Sequence, residues 1–114
     1  LRSYVNVEKI LTSLPDNSEL FQLAHKTNKE LRLWEIMEDS EGSRKYATTF
    51  NEKERYQYKI SPVSLTADAL DILIYDNKVA IISFREGATG VVISNVDYYN
   101  NSKALFDYIW ATLP

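Results

Sequence analysis

The chain has 114 residues, 45% of them hydrophobic, and its 13 basic and 16 acidic side chains leave a formal net charge of -3. This is the size and composition of a single globular domain with one core. A stand-alone nucleic-acid-binding domain is disfavoured because such domains carry a basic face, and the absence of cysteine excludes disulfides and thiolate metal sites.

The start of the chain shows no targeting or membrane signal. No apolar run approaches the roughly 20 residues that span a bilayer, and no basic-then-apolar signal pattern is present. Because the chain starts at Leu1 rather than at a methionine, we expect it to be a fragment of a longer protein.

The first predicted elements are two short helices. Apolar residues between Val5 and Leu14 recur at spacings of three and four, which predicts an amphipathic helix. The segment Pro15–Ser18 breaks this helix and supplies capping side chains for a second one, which Thr27 and Asn28 close. The apolar residues of the second helix are Leu20, Phe21, Leu23 and Ala24.

The residue pattern in the middle of the chain predicts a strand, a helix and a second strand. Alternation of β-compatible residues predicts a strand over Leu31–Met37, and Asp39 is a suitable N-cap for a helix from Ser40 to about Thr49. A strand over Arg55–Ile60 follows, and Ser61-Pro62 ends it.

The stretch Leu70–Phe84, "LDILIYDNKVAIISF", predicts a hairpin with Asp76 and Asn77 at its turn. A two-residue turn there aligns Ile74 with Val79. The next two pairs are Leu73 with Ala80 and Ile72 with Ile81. Both faces are apolar, which is typical of central strands that are covered on both sides.

A turn over Gly87–Gly90 leads to a strand over Val91–Ile93, and Asn95 or Asp97 can cap a last helix. The broad apolar face of that helix includes the predicted dimer-interface residues Tyr99, Phe106 and Trp110. Together the elements predict an α/β fold in which a mixed sheet of about five strands lies between helices.

The residues that catalysis commonly uses are scarce. The chain has one histidine, His25, and no cysteine, and Gly42, Gly87 and Gly90 match no phosphate-binding motif. The acidic residues Glu35, Glu38, Asp39 and Glu41 fit no calcium-loop spacing, and helix capping and solvation account for most of them. We therefore predict no enzyme activity, no metal site and no cofactor.

Two carboxylates, Glu35 and Asp71, interrupt apolar strands. A buried carboxylate costs several kcal/mol unless it is paired or hydrogen-bonded. Either the two carboxylates lie at strand ends, or internal cations or the hydroxyls of a ligand satisfy them. Aromatic residues alternate with the charged ones, and aromatic faces beside acids are what a sugar-like ligand would use. The possible internal partners are Arg32, Arg55, Lys59 and Lys78; the candidate ligand-binding residues are Trp34, Glu35, Asp71 and Tyr75.

The order "LRLWEIMEDSEGSRKYA", "ISP", "LDILIYDNKVAIISF", "TGVVISN" and "SKALFDYIWATL" resembles the C-terminal half of TrmB-like transcriptional regulators, over about Leu20 to Leu113. The resemblance implies a phospholipase D-like fold that serves as the effector and dimerisation domain of a cytoplasmic protein. DNA binding would then reside in an N-terminal helix-turn-helix outside this chain.

Enzymes of the phospholipase D fold use a His-x-Lys-x(4)-Asp motif, but here Lys26 follows His25 directly, so the motif is absent. No catalytic residue and no sugar contact is carried over from the resemblance. We expect a homodimeric regulatory domain, residues 1–114, that senses a small polar ligand such as a sugar. The alternative is a ligand-free dimerisation and interaction module.

Overall fold

The computed structural model describes residues 1–13, 23–24, 26–50, 54–67, 70–85 and 87–114. Its named elements, in chain order, are β1 (Arg2–Val5), α1 (Val7–Ser13), β2 (Leu33–Glu38), α2 (Glu41–Ala47), β3 (Tyr56–Ser61), β4 (Leu70–Tyr75), β5 (Lys78–Ser83), β6 (Thr89–Ser94) and α3 (Val96–Thr112). No helix among these described residues is long and apolar enough to cross a membrane.

The strands form one mixed sheet in the order β3-β2-β1-β4-β5-β6. Strands β1, β2 and β3 are parallel, whereas β4, β5 and β6 continue from β1 as antiparallel neighbours. The predicted α/β class is confirmed, but the sheet has six strands rather than five. The additional strand, β1, has only four residues of mixed polarity, a pattern too short to indicate a strand.

The helices cover the sheet on both faces and define two apolar clusters. Residues of α1 and α2 pack with Val5, Leu33 and Met37 on one face. Phe106 of α3 packs with Ile36 and Ile74 on the other face. We call these the α1/α2 face and the α3 face; successive residues of each strand alternate between them.

The hairpin β4–β5 has the predicted register: Ile74 pairs with Val79, Leu73 with Ala80 and Ile72 with Ile81. Asp76 and Asn77 have φ values of 44° and 60°, the left-handed conformations that a two-residue turn of this kind requires. The turn conformation and the strand register therefore both match the prediction.

Helix boundaries differ from the predictions in two places. The first helix begins at Val7 rather than Val5, because the preceding residues belong to β1. Ser40 rather than Asp39 caps α2, since Ser40 Oγ accepts a hydrogen bond from Ser43 N at 3.1 Å, and the helix ends at Ala47. The Asp39 carboxylate instead pairs with Arg44.

Part of the predicted helical hairpin lies outside the described residues, including Leu14, Leu20, Phe21 and His25. Residues 23–24 and 26–27 are helical. At the other end of the chain Asn95 is the N-cap of α3, and its Oδ1 accepts a hydrogen bond from Tyr98 N at 2.9 Å.

Lys59 of β3 anchors the C-terminus of α3. Its Nζ donates to the carbonyl oxygens of Trp110 and Leu113 at 2.8 and 3.0 Å and lies 4.9 Å from the centre of a Trp110 ring. A cation at this end of a helix interacts favourably with the free carbonyls and the helix dipole.

We expect Lys59→Met to lower the free energy of unfolding by about 1–2 kcal/mol, because two charge-assisted hydrogen bonds are lost. Urea unfolding measures this change. Lys45→Met, at an exposed position of α2, is the matched control. Equal effects of the two substitutions would show that Lys59 does not anchor the helix.

Candidate functional site

The sheet register brings Glu35 and Asp71 to the α1/α2 face. Ser3 of β1 lies between β2 and β4, opposite Glu35 on one side and Leu73 on the other. Asp71 lies two residues before Leu73, so it shares that face. All three polar side chains are buried: Ser3 is 1% exposed, Glu35 2% and Asp71 4%.

These polar residues line one cavity of about 250 Å³. The sheet provides its floor, while Ile10 of α1 and Tyr46 of α2 contribute to the walls. Most of the lining is apolar. The described lining residues are Ser3, Val5, Ile10, Glu35, Tyr46, Asp71, Leu73, Ile82, Phe84 and Ala88.

Each carboxylate accepts one hydrogen bond of ordinary geometry from the described residues. Glu35 Oε2 accepts from the Tyr56 hydroxyl at 2.9 Å, and Asp71 Oδ1 accepts from Asn6 N at 2.9 Å. Within the part of the chain that the structure describes, neither carboxylate forms an ion pair; the two ion pairs there join Arg2 to Asp107 and Arg44 to Asp39.

Of the four cations that the sequence offered as partners, Lys78 pairs with Tyr75 next to the hairpin turn, and the other three donate to backbone carbonyls. Arg32 donates to the carbonyl of Glu54, Arg55 to the carbonyls of Asn28 and Leu31, and Lys59 to the end of α3. Internal hydrogen bonds therefore partly satisfy the two carboxylates, but no opposite charge compensates them among the described residues.

Burial raises the pKa of Glu35 to about 7; the hydroxyls of Tyr56 and Ser3 oppose the rise, and the charge of Asp71 adds to it. Burial likewise raises the pKa of Asp71 to about 7, against the hydrogen bond from Asn6 N and together with the charge of Glu38. Both groups are therefore poised to bind or release a proton near neutral pH.

Tyr46 and Ser3 complete the polar part of the cavity. Burial and the nearby carboxylates Glu35 and Asp71 raise the pKa of Tyr46, so its hydroxyl stays neutral. The Ser3 hydroxyl is close enough to Glu35 to influence its pKa, yet Ser3 Oγ makes no hydrogen bond of ordinary distance and angle with any residue that the structure describes. An unsatisfied buried hydroxyl costs about 1–3 kcal/mol, which a bound polar ligand could offset.

The other two candidate ligand-binding residues do not line this cavity. Trp34 lies on the α3 face, packed against that cluster, and the Arg2 guanidinium is 5.2 Å from the centre of its ring. Tyr75 is half-buried at the end of β4. The sequence-based set missed Ser3 and Tyr46, because a serine in a very short strand and a tyrosine in a helix carry no local signal.

Two acidic residues, Glu38 and Glu8, accept hydrogen bonds from backbone amides at helix starts. Glu38 accepts hydrogen bonds from Val7 N and Glu8 N, each at 3.1 Å, and so caps α1. Glu8 Oε1 in turn accepts from Gly42 N at 3.0 Å in the first turn of α2. Among the described residues no group of three potential ligands is arranged to hold a metal ion.

The predicted dimer-interface residues are buried or half-buried within the domain. Phe106 is 1% exposed, and Tyr99 and Trp110 are half-buried against the same cluster. The large exposed apolar side chains of α3 and the adjacent β6 are Val91, Val92, Val96, Tyr98, Leu105 and Tyr108.

Comparisons of this chain with protein-family models, with curated proteins and with solved structures give no significant match.

Proposed function

We propose that this chain is an effector-sensing and dimerisation domain of a TrmB-like transcriptional regulator with a phospholipase D-like fold. The observation that carries the sensing part is the cavity on the α1/α2 face, where Glu35 and Asp71 are buried without a compensating charge among the described residues. The sequence motifs named above support the regulator part.

The cavity has the features of a ligand site rather than of a packing defect. Cavities that stay empty are apolar, whereas two carboxylates and a serine hydroxyl without an ordinary hydrogen bond among the described residues line this one in an apolar surround. A few convergent polar groups with shifted pKa values in an apolar pocket are typical of small-molecule sites.

A hydrogen bond connects the cavity to α1. Asp71 Oδ1 accepts a hydrogen bond from Asn6 N. Asn6 Oδ1 in turn accepts a hydrogen bond from Lys9 N at 3.1 Å in the first turn of that helix. A ligand that engages Asp71 can therefore change how firmly α1 is held at its start. Such a change transmits a signal only if the ligand has different affinities for the two arrangements.

The sensing proposal predicts that at least one small polar compound raises the melting temperature of the protein. A thermal-shift screen of sugars, amines and other metabolites tests it, because a compound that binds only the folded state stabilises that state. The shift should be lost in Asp71→Asn and kept in Asp97→Asn, a control at an exposed position of α3. No hit in the panel would favour the ligand-free interaction module.

For dimerisation, the edge strand β6 supports a second copy of this chain as the partner. Five of its six residues are exposed, and its sequence "TGVVIS" carries no charge and no proline. By contrast, only two of the six residues of the opposite edge strand, β3, are exposed. Antiparallel pairing of two β6 strands about a two-fold axis would satisfy their free backbone groups.

We expect light scattering to give twice the 13.2 kDa chain mass and Val91→Lys to reduce it to that of a monomer, because the lysines would meet near the axis. Leu105→Lys on α3 is the matched control, since Val91 and Leu105 are both 55% exposed. Dissociation by Leu105→Lys alone would place the interface on α3, and a monomeric wild type would exclude the dimer.

A further inference from the structure

The polar groups of the cavity are mainly hydrogen-bond acceptors. Tyr56 and Asn6 each use one oxygen of a carboxylate. The Ser3 hydroxyl lies near Glu35, but no described residue donates a hydrogen bond of ordinary geometry to the second oxygens, Oε1 of Glu35 and Oδ2 of Asp71. A ligand that donates several hydrogen bonds from one atom would therefore fit these groups.

Charge favours a cation over a neutral donor. Two buried carboxylates raise each other's energy when both ionise, and an opposite charge within about 4–6 Å favours the ionised form. No arginine or lysine within the described ranges supplies that charge to Glu35 or Asp71. A bound ammonium ion would compensate one of the two buried charges and so favour the ionised form of the carboxyl that it contacts.

Size and lining favour a compact molecule with an apolar body. The volume of about 250 Å³ lies below the roughly 300 Å³ at which sites for drug-sized ligands begin. Ile10, Leu73, Ile82 and Phe84 surround the carboxylates with hydrocarbon. A sugar would bury several hydroxyls against these side chains without hydrogen-bond partners, which costs about 1–3 kcal/mol for each hydroxyl.

We infer that the cavity takes a small organic ammonium ion, a primary or secondary amine on an apolar body, between Glu35, Asp71 and the Ser3 hydroxyl. The inference rests on the proposed sensing function and specifies the ligand class of that site. The ammonium group would donate to Glu35 and Asp71 while the hydrocarbon part contacts the aliphatic wall.

Binding of a cation to these carboxyls is linked to pH. The titratable groups that face them are Tyr46 from α2, Tyr56 from β3 and, at Asp71, Glu38 from the end of β2. Both carboxyls are largely protonated below pH 7, so an amine must displace protons there. Its affinity should rise as the pH increases through 7, while an alkylamine with a pKa near that of lysine, about 10.4, remains charged.

The test uses cyclohexylamine and cyclohexanol, which have the same shape and differ in charge, with binding followed by NMR titration of the whole chain at pH 6 and 8. We expect cyclohexylamine to bind at least tenfold more tightly than cyclohexanol at pH 8, and at least tenfold more tightly at pH 8 than at pH 6. Shifted signals should include Ser3 and Asp71. Glu35→Gln and Asp71→Asn should each weaken amine binding about tenfold, and Asp97→Asn should not.

Equal binding of the amine and the alcohol, or amine binding that does not change with pH, would overturn the inference and leave the sensing function standing. Absence of saturable amine binding would also overturn it, and the neutral compounds of the thermal-shift screen would then decide the sensing function separately. If a variant fails to fold, the amine–alcohol comparison and the pH dependence in the wild type remain decisive.

Discussion

The free energy of unfolding should fall as the pH rises from about 4 to 8, and Glu35→Gln should remove a large part of that fall. Burial raises the pKa of the Glu35 carboxyl from 4.5 to about 7 in the folded chain. A group with a raised folded-state pKa stabilises the fold below its unfolded pKa, and that contribution is lost as the pH rises through the folded pKa. At 1.36 kcal/mol per pKa unit, the loss is at most about 3 kcal/mol for Glu35.

Urea unfolding of the wild type and of Glu35→Gln at pH 5 and pH 8 measures this effect. The variant should be close to the wild type at pH 5 and more stable by about 2–3 kcal/mol at pH 8, because a neutral amide avoids the cost of a buried charge. Glu41→Gln, at an exposed position of α2, is the control. If the free energy of unfolding changed with pH equally in the wild type and in Glu35→Gln, the raised pKa of Glu35 would be contradicted.

Phe106→Ala should lower the free energy of unfolding by about 3–5 kcal/mol, the usual cost of removing a buried aromatic ring from a core. Phe106 is 1% exposed and anchors α3 to the sheet. Its ring lies 5.2 Å from that of Tyr4 on β1 and 5.9 Å from that of Trp110, centre to centre.

Tyr108→Ala in the same helix is the matched control for this large effect. Tyr108 is 73% exposed, so its truncation should change the free energy of unfolding by no more than about 0.5 kcal/mol. Urea unfolding measures both variants under the same conditions. Similar losses in the two would show that α3 does not dock through Phe106.

The predictions that succeeded are those that local chemistry determines. The register of β4–β5 follows from the turn residues Asp76 and Asn77, which tolerate positive φ, and from apolar runs on both sides of them. The N-cap of α3 follows from Asn95, one of the two candidate caps, whose side chain accepts a hydrogen bond from the amide of Tyr98 three residues later.

The predictions that were wrong or incomplete depend on contacts between distant residues. Strand β1 is stabilised by its two neighbours in the sheet, β2 and β4, and its four residues carry no periodic signal of their own. Without β1, nothing in the sequence shows that Ser3 lies between Glu35 and Leu73. The sequence also places Trp34 beside Glu35, whereas consecutive strand residues point to opposite faces of the sheet.

The most direct test of the proposed site is a ¹³C NMR titration of the side-chain carboxyls of Glu35 and Asp71 in the free protein. The site requires that both groups be buried without a compensating charge, so both should titrate near pH 7. Midpoints near 4, as for carboxyls in water, would show that the two groups are solvated or paired, and would contradict the ligand cavity.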